Sequence, residues 1–447
     1  MPMRDAARAA CLSLAFLRSW RCYPNLTFTE SLGPPLLTYG GDLSHTVDSI
    51  LRNHSGIGVK IFNFELYGTD DRNVGNWLQV AVTPGIEGLT LRLLSSGQKI
   101  KYKFLCSLLR DGVRKSIRYL ELAFCIFHPT AALGHLASLT SLQLICVRIT
   151  GDELECLLTN SLALEQLVLT CCKEIICLRV PCALQRFSYL RVQACLRLQL
   201  IECKAPNLST LDFCGKAKLS LGEPSQMKNL SMYRSNVVCY ARAELPSSMP
   251  NLDTLALCSY YEVVNTPMLP TKFPYLKHLT ICLVSGTLSS SYDYFSLVSF
   301  LDASPSLETL ILEVKEEPME HESILGRSLH PRHMAEDNHC YLKNVKIEGF
   351  SSAKSLVELT CYILKNAVLL ECLTLDTQYG SRCSDEGCEP TCAWLMWMTH
   401  RDDTSHKPSA ITSSGVLGDM ANRHIWTLDS AGSAYSFEKW VNGGVAQ

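Results

Sequence analysis

Leu139-Thr140-Ser141-Leu142-Gln143-Leu144 and, 25 residues on, Leu164-Glu165-Gln166-Leu167-Val168-Leu169 carry the same spacing of apolar slots, Leu-x-x-Leu-x-Leu. With Ile, Phe, Met or Val admitted, the spacing recurs in twelve copies: Ile86-Leu89-Leu91, Ile117-Leu120-Leu122, the two just quoted, Phe187-Leu190-Val192, Leu208-Leu211-Phe213, Met227-Leu230-Met232, Leu252-Leu255-Leu257, Leu276-Leu279-Ile281, Leu307-Leu310-Leu312, Leu342-Val345-Ile347 and Leu370-Leu373-Leu375. The last two slots of each copy stand two residues apart. In an extended chain that puts both side chains on one face and the residue between them on the other. Each copy therefore reads as a short strand whose apolar face is too small to be buried alone.

Successive starts lie mostly about 19 to 31 residues apart, overlapping the roughly 20 to 29 of a leucine-rich repeat. Stacking such units makes a continuous core in which each unit touches mainly its neighbours. The expected fold class is α/β: a leucine-rich-repeat solenoid with a curved parallel β-sheet, irregular helical or loop returns, and a short helical segment at the N-terminus. The returns are legible in places. Asp152 to Leu158 places acidic residues in a first helical turn and Leu154, Leu157 and Leu158 on one face. Ser355 to Asn366 repeats the pattern with Leu356, Leu359 and Ile363, with Ser351 or Ser352 as the expected cap. Ala205-Pro206-Asn207 and Met249-Pro250-Asn251 lie just before strands and predict short, irregular returns there.

Composition sets the outer limits. The 447 residues are 47% hydrophobic, enough for a large core, and the formal charge of −2 gives no basic footprint for nucleic acid. No run of about 18 apolar residues is free of charge, so no membrane span is expected. The 22 cysteines lack paired spacing, and Cys146, Cys171, Cys172, Cys195, Cys214, Cys258 and Cys282 sit in or beside strands. They read as small packing residues, which fits a reducing cytoplasmic or nuclear compartment. Asp5 and Arg8 interrupt any apolar targeting core, and residues from Asp5 to about Trp20 read as one amphipathic helix.

Catalytic and metal motifs are lacking: the chain has no phosphate-binding loop, dinucleotide fingerprint, nucleophile elbow or zincin motif. Cys383, Cys388, Cys392 and His400 have spacings unlike a zinc finger, and His330, His333, His339 and Cys340 lie within and at the end of a polar connection from Lys315 to Asn338 that reads as a solvated loop. No enzyme activity, metal or cofactor is expected. Strand geometry supplies the binding candidates instead. Residues two and four positions after each first slot face the open side of the sheet: Tyr119 and Glu121, Gln143, Gln166, Tyr189 and Arg191, Asp212, His278 and Lys346, with Tyr233 two positions further along its strand. Aromatic and Arg anchors make Tyr119, Tyr189, Arg191 and Tyr233 the leading positions.

The N-terminal run Met1 to Arg21, and above all Ser13-Leu14-Ala15-Phe16-Leu17-Arg18-Ser19-Trp20, resembles the second half of the F-box of plant F-box/leucine-rich-repeat proteins. Downstream, Tyr341-Leu342-Lys343-Asn344-Val345-Lys346-Ile347-Glu348-Gly349-Phe350, then Glu358-Leu359, Leu364-Lys365-Asn366-Ala367 and Leu370-Glu371-Cys372-Leu373, resembles the FBD motif of the same family. The family's F-box starts with a Leu-Pro pair and a first helix ahead of the position of Met1, and its usual Val-Ser-Arg stands here as Leu12-Ser13-Leu14. The resemblance implies a partial F-box at 1–30, leucine-rich repeats at 31–340, an FBD motif continuing them at 341–379, and an irregular tail at 380–447. It implies a non-catalytic substrate receptor of a Skp-cullin-F-box ubiquitin ligase. A Skp-type adaptor would meet Met3, Ala6, Ala7, Ala10, Cys11, Phe16 and Trp20, and an unidentified protein target would lie on the repeats. The alternative is a repeat module that holds its partner without delivering it to a ligase.

Overall fold

The computed structural model describes residues 3–29, 42–54, 58–67, 73–94, 100, 102–130, 133–222, 224–259, 262, 265–284, 292–315, 339–377 and 425–429. Among them the strands are, in chain order, β1 (Asn25–Thr29), β2 (Ile61–Tyr67), β3 (Gly88–Leu94), β4 (Tyr119–Ala123), β5 (Ser141–Ile145), β6 (Gln166–Thr170), β7 (Cys177–Val180), β8 (Tyr189–Gln193), β9 (Leu200–Cys203), β10 (Thr210–Cys214), β11 (Lys218–Leu221), β12 (Asn229–Tyr233), β13 (Thr254–Ser259), β14 (His278–Val284), β15 (Thr309–Lys315), β16 (Asn344–Glu348), β17 (Cys372–Asp376) and β18 (Ile425–Asp429). The helices are α1 (Met3–Ala10), α2 (Leu14–Trp20), α3 (Asp42–Asn53), α4 (Val74–Ala81), α5 (Asp111–Arg114), α6 (Gly151–Thr159), α7 (Val237–Ser248), α8 (Val298–Ala303) and α9 (Lys354–Asn366).

The chain divides into two compact units. One comprises Met1–Leu208 with Gly215–Glu223, the other Ser209–Cys214 with Pro224–Gln447. In the first, β1-β2-β3-β4-β5-β6-β8 form a parallel sheet in that order, and β11-β9-β7 form a smaller parallel sheet. In the second, β10-β12-β13-β14-β15-β16-β17 are parallel and β18 pairs antiparallel with β17. This is the expected leucine-rich-repeat fold.

Every copy of the apolar spacing ends in a strand of one of these sheets, and the register aligns like slots. Leu89, Leu120, Leu142, Leu167 and Leu190 are successive partners in the first unit. Leu211, Leu230, Leu255, Leu279, Leu310, Val345 and Leu373 are successive partners in the second. All 24 strand slots are at most 5% exposed. At about 1.5 to 3 kcal/mol per buried aliphatic side chain, this ladder is the main source of stability.

The sequence reading missed two rungs. Leu26 and Phe28 on β1, and Phe62 and Phe64 on β2, are the same inward pairs, none more than 4% exposed. Val59-x-x-Phe62-x-Phe64 obeys the repeat, with aromatics in both strand slots. The rings pack together: Phe62 and Phe64 are 6.2 Å apart and Phe64 lies 5.3 Å from Trp77 of α4. The segment 1–30 therefore holds a strand of the sheet as well as helices.

Four strands end in one device. Phe124, Cys146, Cys171 and Ala194, each the first residue past β4, β5, β6 and β8, adopt left-handed φ of 51° to 56°. The N–H groups of the first three continue the ladder, donating to Ile145 O (2.9 Å), Thr170 O (2.7 Å) and Gln193 O (2.9 Å). The turn sends the following residue, Cys125, Val147, Cys172 or Cys195, into the core, none more than 7% exposed. Gly349 does the same after β16, and there a Cβ would overlap the Val314 carbonyl oxygen, so only glycine fits.

The returns follow expectation at α6, whose Leu154, Leu157 and Leu158 are buried. Its N-terminus is closed by a capping box of Thr150 and Glu153, a signature present in the sequence that the reading passed over. Helix α9 spans the expected residues, but neither serine caps it. Ala353 occupies the cap position without a side-chain bond, and Ser351 accepts only from Ala353 N at 3.5 Å.

Three expectations are corrected. The single N-terminal helix is two, because Ser13 accepts from Phe16 N at 3.3 Å and starts α2 afresh. The return before Met249-Pro250 is not short: α7 is twelve residues long and tolerates Pro246 in its final turn. It is held by Arg242, 1% exposed, whose guanidinium donates to Ser299 O and Oγ, Thr271 Oγ1 and Leu269 O at 2.5 to 3.1 Å. Tail residues Ile425–Asp429 form β18, where no regular structure was expected.

Arg242→Ala should lower the unfolding free energy by about 3 kcal/mol or more, because it leaves buried oxygens unpaired and a cavity beside α8. Urea denaturation measures this; a loss below about 1 kcal/mol would show that the buried guanidinium is not a structural tie.

Candidate functional site

Because each inward pair brackets one outward residue, parallel register gathers the outward residues into rows. In the first unit one row runs Gly88, Tyr119, Ser141, Gln166, Tyr189, and the next runs Thr90, Glu121, Gln143, Val168, Arg191. The expected binding residues therefore share one face of this sheet. Gln166 is exposed, while Tyr119, Gln143, Tyr189 and Arg191 are half-buried. The Arg191 guanidinium carbon lies 5.8 Å from the centre of the Tyr189 ring, a cation–π arrangement that stiffens both side chains.

Glu121 departs from expectation, being only 2% exposed. Its two carboxylate oxygens are taken by Arg92 Nε and Tyr119 OH, each at 2.5 Å, so its neighbours consume it and it is not presented to a partner. Arg92 was not anticipated. It sits one position past the inward Leu91, in the row that continues to Ala123, Ile145, Thr170 and Gln193. Tyr233 holds the equivalent place on β12, so the same rule applied to every strand would have found Arg92.

In the second unit Asp212 is 9% exposed, so it too is not presented to solvent. Tyr233 is half-buried, and His278 and Lys346 are exposed. Lys346 Nζ lies 2.5 Å from Glu348 Oε1, which raises the lysine pKa through that hydrogen bond. Beside it, Glu313, Glu348 and Asp376 align on β15, β16 and β17, giving this end of the face an acidic row.

The N-terminal candidates split in two. Met3 and Ala6 serve the fold: Ala6 is 5% exposed, and Met3 Sδ accepts from Thr27 N of β1 at 3.2 Å. Ala7, Ala10 and Trp20 are half-buried, Trp20 against Tyr23 with ring centres 5.5 Å apart. Cys11 and Phe16 are exposed, and Leu12, Leu14 and Phe16 are 80%, 75% and 53% accessible. Helix α2 buries none of its residues.

Two buried polar clusters also went unread. Glu262 is 0% exposed and its Oε1 accepts from Val238 N (2.6 Å) and Cys239 N (3.2 Å) at the start of α7, where Asn236 makes no side-chain cap bond. Burial pushes its carboxyl up to about 7, against the opposing pull of those two N–H groups and Arg234. Tyr362 of α9 donates to Asp302 Oδ1 at 2.8 Å and lies 3.1 Å from His339 Nε2, tying α9 to the end of α8. His339 is thus part of the packing, while His330, His333, Cys383, Cys388, Cys392 and His400 lie outside the described residues. Among the described residues no three His, Cys, Asp or Glu side chains are placed to share a metal ion.

The model of the family described as At1g61320/AtMIF1, LRR domain, matches residues 50–411. The chain belongs to this leucine-rich-repeat family. The match spans all thirteen parallel rungs from β2 to β17 and all of the outward candidates above, and β1, α1 and α2 lie before it. No curated protein matches the chain. As a leucine-rich-repeat domain, the matched segment is of a class that serves as protein-interaction modules. Among the described residues no helix is long and apolar enough to cross a membrane.

Arg92→Ala should destabilise the first unit by about 2 kcal/mol, because Glu121 is left buried with only Tyr119, whereas Arg92→Ala combined with Glu121→Gln should recover most of that loss. Equal losses in the single and double variants, measured by thermal unfolding, would disprove the coupling. Folded Glu262 holds its proton more tightly than the unfolded chain does. Its stabilising contribution is full below about pH 4.5 and falls away as pH rises through about 7, by about 3 kcal/mol in all. Glu262→Gln should flatten that slope; parallel stability profiles for the two proteins between pH 4 and pH 8 would contradict it.

Proposed function

We propose that this chain is the target-recognition subunit of a Skp-cullin-F-box type ubiquitin ligase, with the target on the open face of the repeats and a Skp-type adaptor at α1 and α2. The observation that carries this reading is α2. In a chain whose strand slots are at most 5% exposed, this helix and the turn before it leave Leu12, Leu14 and Phe16 in water. Burying three such side chains is worth about 1.5 to 3 kcal/mol each, a strong bias toward a partner that covers them. Helix α1 is anchored on β1 through Met3 and Ala6, so α2 is held out from the repeats on a fixed base. The resemblance of Ser13 to Trp20 to the second half of an F-box, and of the segment holding β16, α9 and β17 to the FBD motif, supports a Skp-type adaptor as that partner.

In this reading the chain needs no catalytic group. Ubiquitin transfer belongs to the assembled enzyme, and this subunit contributes proximity by holding the target near the transferring thioester. A second reading, a module that holds its partner without delivering it, is favoured by the extent of the family match, which begins at residue 50 and so concerns the repeats and not α1 or α2.

Co-expression with a Skp-type adaptor separates the two. The ligase reading expects a stable complex on gel filtration that Leu14→Asp with Phe16→Asp abolishes while the melting temperature of the free chain stays within about 2 °C. No complex with the unaltered chain would leave the holding module as the function.

A further inference from the structure

We propose that Cys146 and Cys171 are a reversible, peroxide-sensitive dithiol: a redox modification site at the ends of the adjacent strands β5 and β6, beyond the partner-binding reading above. The two residues are equivalent positions on neighbouring rungs, each one step past the paired Ile145 and Thr170. Both have left-handed backbone, φ 51° and 53°, and Cys146 N donates to Thr170 O at 2.7 Å. Residues so placed on parallel neighbours have Cα atoms about 4.8 Å apart, inside the roughly 4.4 to 6.8 Å that a disulfide spans. Equal backbone conformation points the two Cβ atoms the same way, so closure needs them to draw in by less than about 1 Å.

Chemistry and access favour this pair over the other cysteines. Side-chain interaction between the two thiols lowers the pKa of Cys146 and raises that of Cys171, and the ammonium of Lys173 also favours the Cys146 thiolate. Both are half-buried and reach solvent. The next pair inward, Cys172 and Cys195, lies two residues past β6 and β8 in the same relation, but these are 0% and 7% exposed. Cys258 and Cys282 are direct partners on β13 and β14 and are also buried. Of these three neighbouring thiol pairs among the described residues, Cys146 and Cys171 are the least buried.

The reaction balances with hydrogen peroxide as the oxidant. The Cys146 thiolate attacks one peroxide oxygen, the O–O bond breaks, and the leaving hydroxide takes a proton to become water. Cys171 then attacks the resulting sulfenic sulfur, the S–S bond forms, the S–O bond breaks, and a second water leaves. The dithiol loses two electrons and the peroxide gains them; a small dithiol such as dithiothreitol reverses the change by exchange.

The test treats the purified full-length chain with hydrogen peroxide, then alkylates free thiols and maps them by peptide mass spectrometry. Cys146 and Cys171 should lose alkylation together while Cys172 and Cys195 stay unoxidised, and dithiothreitol should restore both. Cys146→Ser and Cys171→Ser should each abolish the cross-linked peptide, whereas Cys172→Ser should retain it, and circular dichroism checks that each variant is folded. Loss of alkylation at exposed Cys11 or Cys22 before the pair, or a cross-link joining other cysteines, would overturn the proposal. The mapping of the unaltered chain decides the question even if a serine variant fails to fold.

Discussion

A single shared register governs this molecule. Each parallel rung has two inward side chains and cannot bury either without a neighbour in step. Slipping a strand by one residue would turn both slots to solvent and lose several kcal/mol at once. The constraint is local in sequence and cumulative in space, so helices, turns and loops of quite different length can be hung between rungs provided the slots return to line. It also fixes the outer face: once Leu120 and Leu122 point inward, Glu121 and its row neighbours must face the other way.

This explains what the sequence made legible. The slots are repeated chemistry, so twelve rungs could be read from spacing and the outward rows from alternation. Of the two aromatic rungs, the one on β1 escaped because Tyr23 stands in its first slot, outside the admitted residue types, whereas Val59-x-x-Phe62-x-Phe64 fits the admitted spacing and was simply overlooked. Helix α7 escaped because proline at both ends of its C-terminal turn reads as a break, while the tie that holds it is Arg242, a residue that sequence patterns assign to the surface. Glu121 was placed on the correct face, but whether a side chain there is offered or consumed depends on Arg92, 29 positions away in the chain, and on Tyr119. Partnership across rungs is set by register and side-chain length together, and spacing carries only the first.

The two units use buried charge differently. In the first, Glu121 is neutralised by an arginine on the neighbouring strand and lies beneath the open face. In the second, Arg242 and Glu262 meet mainly backbone and hydroxyl groups around α7, with no opposite charge in direct contact. There, burial pushes the Glu262 carboxyl up to about 7 at the start of α7, so the packing of this helix responds to pH near neutrality.

The outermost strands carry a consequence of their own. A stack of identical rungs has no internal reason to stop, and a bare edge would template a strand from another molecule. Here neither β1 nor β17 is left as a plain repeat edge. Thr27 N of β1 is taken by the Met3 sulfur of α1, and β17 is covered by β18, which runs in the opposite direction. At each described end the outermost repeat strand thus gives backbone groups to an element that is not a repeat, a helix side chain at β1 and a reversed strand at β17, so neither edge matches the rungs between them.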